Sequence, residues 1–533
     1  MRKGILKIFT CLFLLIFGLG VFAACDTSAP SLEYRLDGKT YTVVGIGTYE
    51  DGELIIPETY KGKPVTAIGA GAFQGNKEIG LLEIPDSVTV IEENAFASCS
   101  RLEVVTMGNG VTSIGYKAFA FCDNLKAIRL SNTLKTIGDQ AFYYCRKLQA
   151  ISFPDSLETI GKKAFEGDTN REVHNSLTTV NFGTGLRTIG EYAFYNCANL
   201  SDVIIPDGAP TAIGNNAFLN CSRVRFIELG NGVVSIGENA FSADSLEEGG
   251  GLRVREVIIG DGVRTIGAGA FKNCRKLVTV TLGKGVQEIG NEAFYKCQVL
   301  REVINDSSLV ITAGSSDYGY AAQYAWNVHT SEQGSKISHD EQGIVYYTDG
   351  ARKVMVTAIL TDSSEIVIPD DVTEIGEYAC YNEQLLTGVV VGNGVTNIGA
   401  RAFGNCYQLR TLKLGSSVTT IAELAFYNNV ALSTVVFGTS VKTVGDGAFK
   451  KKEGWDGYRD YKMYYLGTKA DWDQIVFGTT NDHLLDPAKG GKVGFYSEEQ
   501  PTDTKNLYWR YVNGTPKFWS QKNGGGGYPN SLH

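Results

Sequence analysis

The chain is poor in the residues that usually do chemistry. Histidine occurs five times in 533 residues, at positions 174, 329, 339, 483 and 533. None has a Ser, Asp or Cys beside it spaced like a nucleophile elbow or triad, so solvated loop histidines are expected. No C-x-x-C or H-E-x-x-H spacing is present, which removes the common metal motifs. Phosphate loops are missing too: Gly490-Gly491-Lys492-Val493 lacks the first Gly and ends in Val. Positive charge is scarce, with 49 basic against 58 acidic residues and a net charge of −9. An acidic chain without a basic stripe argues against nucleic acid as partner. No cofactor is expected.

Long apolar runs are also missing, with one exception at the N-terminus. Arg2, Lys3 and Lys7 precede an apolar stretch from Ile8 to Phe22. At about 15 residues it is short for a membrane span and suits an export signal. It ends in Ala23 and Ala24, directly before Cys25. Phe22-Ala23-Ala24-Cys25 resembles the bacterial lipobox, which implies lipid attachment at Cys25 and export to the outside of the membrane. A multiply acylated cysteine anchors stably where one acyl chain does not.

What the chain has in abundance is a repeat. Ala-Phe recurs with Phe at 73, 96, 119, 142, 165, 194, 218, 241, 271 and 294, and again at 403, 426 and 449, mostly 23 residues apart. Cys380 takes the Phe place 23 residues before Phe403. Insertions lengthen the units at 166–177 and 244–252. In one unit, Leu125 to Leu130 reads as a short strand with 128 and 130 inward, and Ser131-Asn132-Thr133 turns the chain. Leu134 and Ile137 point back inward, Gly138 turns again, and Ala141-Phe142, Cys145 and Leu148 close the loop. Elsewhere the first turn is spelled Pro85-Asp86-Ser87 or Gly108-Asn109-Gly110. Pro presets a turn, while Gly and Asn accept positive φ.

One such unit buries about eight apolar side chains at roughly 2 kcal/mol each. Ordering its backbone costs about 1–2 kcal/mol per residue, so units are stable only when stacked. The fold expected is a repeat solenoid, mainly β with turns and short helical segments. Its rungs are ~23 residues long, with a parallel sheet on one face at ~4.8 Å strand spacing. Eight cysteines share one phase, three after the Phe: 99, 122, 145, 197, 221, 274, 297 and 406. Stacked equivalents about 4.8 Å apart with parallel side chains do not suit a disulfide, so a ladder of buried thiols is expected.

The unit Leu-x-x-Val-x-Leu/Ile-Pro-x-x-Val-x-x-Ile-Gly-x-x-Ala-Phe-x-x-Cys is similar to the repeat of the BspA-like leucine-rich-repeat surface lipoproteins. It stands nearly whole as Ile84-Pro85, Val88, Ile91, Ala95-Phe96, Cys99 and Leu102. The segments from Ile55 to Gly69 and from Tyr464 to Trp472 resemble that family's starting and closing caps. Cys380 in place of Phe is a departure. The resemblance implies a leucine-rich-repeat solenoid and adhesion or surface binding.

The organisation expected is a signal peptide over 1–24, the lipidated cysteine and tether over 25–32, and a first repeat block with its N-terminal cap over 33–302. An interrupting cap and hairpin segment follows at 303–366, then a second block at 367–450, a C-terminal cap at 451–519 and a disordered tail at 520–533. Trp455, Trp472, Trp509 and Trp519 are read as plugs of the open end. The function expected is that of a non-catalytic binding or adhesion module at the bacterial cell surface, with a protein or glycan ligand and membrane contact through the anchor alone. Alternatives are carbohydrate capture by aromatics near 318–326 or 508–519, and a glycosidase-type enzyme using Asp202, Glu228 and Glu256. Outward strand positions are mostly small and polar in early rungs. Later ones gather Ile204, Phe226 and Ile258, bordered by Asp202, Glu228 and Glu256, which marks them as the candidate binding patch.

Overall fold

The computed structural model describes residues 32–49, 51–167, 176–243, 252–358, 360, 364–451, 461–481, 491–499, 501–502 and 506–519. The leader, Cys25, most of the tether, His174, His483, Trp455, the tail with His533, and the cores of both insertions lie outside the described residues.

Each rung has three sides. The first is a short strand with alternating burial. In Val104–Met107, Val105 and Met107 are buried while Val104 and Thr106 are partly exposed. Rungs pair in parallel and in register, with Leu82 beside Val105 and Val105 beside Ile128. This side runs as successive sheets of four, two and six strands, the last from Asp202–Ile205 to Asn327–His329. A second side carries another parallel ladder, of strands as short as Ser113–Ile114 and Thr136–Ile137. It forms one continuous sheet from Glu33–Asp37 to Glu288–Ile289. The repeat pattern points to the first ladder; the second comes from two residues per rung, too few for strand periodicity to register.

The fold was expected to include short helical segments, and the third side has none. It holds tandem turns instead. Ala95, Ala97 and Cys99 donate N–H bonds three residues back, to Glu92, Asn94 and Phe96. The intervening N–H groups of Asn94, Phe96 and Ser98 donate to Tyr116, Ala118 and Ala120 in the next rung. Asn94 and Ser98 take φ of 54° and 60°, which a helix does not allow. Among the described residues the α-helices are Asp317–Tyr320 and Lys469–Trp472, four residues each.

Inside, the phenylalanines of the tandem turns stack. Ring centroids from Phe73 to Phe294 lie 4.9 to 5.4 Å apart in an unbroken column, and Phe403, Phe426 and Phe449 form another. Each stacked pair contributes about 0.5–1.5 kcal/mol beyond its buried area. The insertions leave the column intact, since Phe165 and Phe194 still stack at 5.2 Å. The nine described cysteines stand as buried thiols, as the repeat phase suggests. Each in-phase thiol donates to the carbonyl in the Phe position one rung back: Cys99 to Phe73 at 3.1 Å, Cys122 to Phe96 at 3.2 Å, Cys406 to Cys380 at 3.0 Å.

Between the blocks, the rung register continues through Asn327–His329, which pairs in parallel with Glu302–Asn305. Three antiparallel strands follow, Ile337–His339, Ile344–Asp349 and Arg352–Ala358, and the last pairs in parallel with the second block at Glu374–Ile375. These strands also pack sideways on the first block. Val345, Tyr347 and Val356 bury against Val278 and Val299. Trp326 lies between two guanidinium groups, Arg301 at 4.6 Å and Arg352 at 4.9 Å. Arg301 is buried and donates to the carbonyls of Gln298 and Tyr324 in its own block and of Glu377 in the other. At the far end Trp509 is fully buried and donates to the Tyr465 carbonyl, while Trp472 packs on Phe437 and Tyr465.

Candidate functional site

The six patch residues lie on three adjacent parallel strands, Asp202–Ile205, Phe226–Leu229 and Glu256–Ile259. Strand alternation turns all six outward, because Val203, Ile205, Ile227, Leu229, Val257 and Ile259 are buried on the other side. Register sets their arrangement. Asp202, Phe226 and Glu256 form one row, and Ile204, Glu228 and Ile258 the next. The surface is a checkerboard in which each apolar residue has a carboxylate beside it across the strands. Ile204 is 47% exposed, an unusual position for an isoleucine, and Glu228 is exposed beside it. The rows continue into Thr279 and Thr281, then Glu302 and Ile304.

In the first row exposure ends at those rungs, while Thr281 and Ile304 in the second stay partly exposed. Thr279 is 7% exposed and Glu302 is fully buried. The chain leading to the second block crosses here: Ser335 Oγ and the Lys336 N–H both donate to the Glu302 carboxylate. His329 joins the cluster, with Nε2 3.2 Å from Glu302 Oε1 and Nδ1 2.8 Å from the Thr330 carbonyl. This corrects the expectation of a solvated loop histidine. His329 is only 7% exposed, because the lengthened rung of 306–329 brings it over Glu302, 27 residues earlier. The three side chains are not a nucleophilic triad. Ser335 gives its proton to the carboxylate rather than to the imidazole, and a carboxylate with no exposure is closed to substrate.

Of the aromatics suggested as sugar platforms, Trp326 and Trp509 are used in packing, while Tyr318 and Tyr511 are exposed. Trp326 is held between Arg301 and Arg352, and Trp509 is buried. Trp519 is partly exposed, with Arg510 3.9 Å over its ring and its Nε1 donating to Ser497. A polar hollow of about 420 Å³ opens on the tandem turns of the second block, lined by Tyr381, Arg401, Glu423, Tyr427, Asp446 and Lys450 among others.

One feature contradicts the expectation that no basic stripe exists. Where the loop after the tandem turns enters the long strand, four successive rungs carry Arg223 and Arg225, Arg253 and Arg255, Arg275 and Lys276, and Arg301. Whole-chain charge hides this edge, because the surplus of acid is spread over the other rungs. Folding the sequence at its repeat, so that 225, 255, 278 and 301 align, would have shown it.

A family model described as BspA type leucine rich repeat region, in six copies, matches residues 66–175, 171–249, 251–321 and 360–454, together about two thirds of the chain. Among solved structures, a leucine-rich repeat protein from Bacteroides ovatus is 23% identical over 88% of this chain and 100% of its own, with a TM-score of 0.41. A leucine rich cell surface protein from Faecalibacterium prausnitzii is 18% identical over 85% and 98%, with a TM-score of 0.31. The T. pallidum leucine rich repeat protein is 21% identical over 48% and 91%, at 0.31. No curated protein matches the chain.

Proposed function

The chain belongs to the BspA-type leucine-rich-repeat family, and from that premise we propose that it is a non-catalytic binding module displayed on a bacterial cell surface. The observation that carries the reading is the face built by Asp202, Ile204, Phe226, Glu228, Glu256 and Ile258. A parallel sheet fixes these six side chains in two rows without loops, so little order is lost on binding. An exposed Ile204 and half-buried Phe226 and Ile258 set among carboxylates suit a protein ligand, whose own surface offers both kinds of group. The family's repeat architecture supports a binding role over catalysis. The leader and Cys25 support tethering by lipid.

Two variants test the proposal on intact cells. Phe226→Ala with Ile258→Ser should leave melting nearly unchanged and lower attachment to the native ligand at least tenfold. Undiminished attachment by a folded double variant would remove this face from consideration. Cys25→Ser should shift the protein from the membrane fraction to the medium or soluble fraction, and continued partition into detergent would refute the anchor.

A further inference from the structure

The basic edge has an occupied half and an open half. In rung register Arg223, Arg253 and Lys276 fall in one row, and Arg225, Arg255, Val278 and Arg301 in the next. The strands between the blocks and the first turn of the second block cover the end of both rows. There the rows change to Val278 and Val299, which bury against Val345, Tyr347 and Val356. The cations at this end also have protein partners. Lys276 Nζ stands 3.6 Å from the Glu383 carboxylate, and Arg301 donates to the Glu377 carbonyl. Both acceptors come from one tandem turn of the second block.

Two rungs earlier the same rows hold Arg223, Arg225, Arg253 and Arg255. Among the described residues no carboxylate lies within ion-pair distance of any of the four. Arg223, Arg225 and Arg253 are exposed and Arg255 is half-buried. Burial, with Arg225 and Arg253 as like charges beside it, pushes the Arg255 guanidinium down to about 10; Glu383 and Asp202 oppose this. Rungs bring like charges to about 5 Å spacing, and each such pair repels by roughly 1–4 kcal/mol before salt screening. In a chain of net charge −9 this concentration of cations is local. Arginine in four places out of four fits planar carboxylate recognition by paired N–H groups better than lysine would.

Given the binding role proposed above, we infer that Arg223, Arg225, Arg253 and Arg255 form a docking edge for an acidic protein segment lying alongside the second block. The occupied half of the edge supplies the pattern: a protein turn presenting a carboxylate and a backbone carbonyl, seated on the same rows. The segment would bring further carboxylates to the arginines.

The test uses the full chain and labelled poly-L-glutamate, with heparin and inorganic polyphosphate as competing polyanions. Wild type should bind polyglutamate at low salt, weakening steeply as salt rises. Arg225→Glu with Arg253→Glu, both exposed, should weaken that binding at least tenfold without altering the circular dichroism melt. Arg129→Glu with Lys135→Glu changes net charge equally at a distant site and should leave binding within twofold. Equal loss in that control would overturn the proposal, as would heparin or polyphosphate binding the edge more tightly than polyglutamate. Phe226→Ala with Ile258→Ser should keep polyglutamate binding within twofold. Loss there would also overturn the proposal, by moving the contact onto the sheet face, whereas failure of that variant to affect cell attachment counts only against the face.

Discussion

A buried thiol is an acid kept neutral by its surroundings. Burial pushes the Cys122, Cys145, Cys197, Cys221, Cys274 and Cys406 thiols far above their ordinary value, and Cys380 up to about 12. An acid whose folded pKa lies above its unfolded value stabilises the fold fully below the unfolded value. That stabilisation is lost as pH climbs toward the folded value. For these thiols the loss begins near pH 9, the ordinary thiol value here. Each contributes up to about 1.4 kcal/mol per pH unit above that point. Urea melts at pH 8, 9, 10 and 10.5 should therefore show stability falling steeply over the last three. Cys122→Ala should make the fall shallower by about one thiol's share, whatever its effect at pH 8. An identical slope in wild type and variant would show that the ladder does not hold its protons.

At the scale of one rung, spacing is set by backbone against backbone. A Cβ on Gly110 would stand 1.9 Å from the Asp86 carbonyl oxygen of the rung before, and Gly262 and Gly394 repeat the same approach. Beside it the Asn109 N–H donates to Asp86 Oδ1 at 2.6 Å, so side chain and glycine hold one turn against the next. Gly110→Ala must push two rungs apart and should cost about 1–3 kcal/mol. Hydrogen exchange should speed up mainly in residues 86–133, since rungs couple to their neighbours. Gly52→Ala, whose added Cβ would meet only the Glu78 oxygen at 3.7 Å, should stay within about 0.5 kcal/mol of wild type. Equal behaviour of the two variants would contradict the close-approach account. This is also the scale most legible in the sequence. Phe142, Cys145 and Ile137 fall inside because one period assigns their phase. The tandem turns were not legible, since positive φ sits on residues as unlike as Asn94, Lys117, Phe121 and Leu424. His329 escaped because its partner is 27 residues away across a lengthened rung, and the arginine edge because charge was counted along the chain rather than across rungs.

The whole molecule depends on how its two blocks meet. Their main cores are separate clusters, and a third, smaller cluster with the Arg301–Trp326–Arg352 stack joins them. Wild type should show coupled melting of both blocks. Trp326→Ala removes the ring between two guanidinium groups and leaves Arg301 less shielded. Calorimetry should then separate into two transitions, with the second block melting first because its column is shorter. A single transition at a uniformly lower temperature would mean that the blocks communicate by another route. The sequence showed two blocks through the break in the Ala-Phe series, but no local pattern reveals that 345–356 packs on 278 and 299.

The repeated inter-rung bonds have a consequence for how such a gene can change. Where a unit carries the full pattern, rung n joins rung n+1 through the same atoms: Phe on Phe, thiol on carbonyl, Asx oxygen on backbone N–H. An in-frame duplication of one repeat therefore presents both neighbours with the partners they already had. A copy inserted before Asp202 would lengthen the stem and carry the sheet face and the arginine edge outward unaltered. Reach and recognition are inherited as separate traits, and recombination between repeats can alter the first without trial of the second.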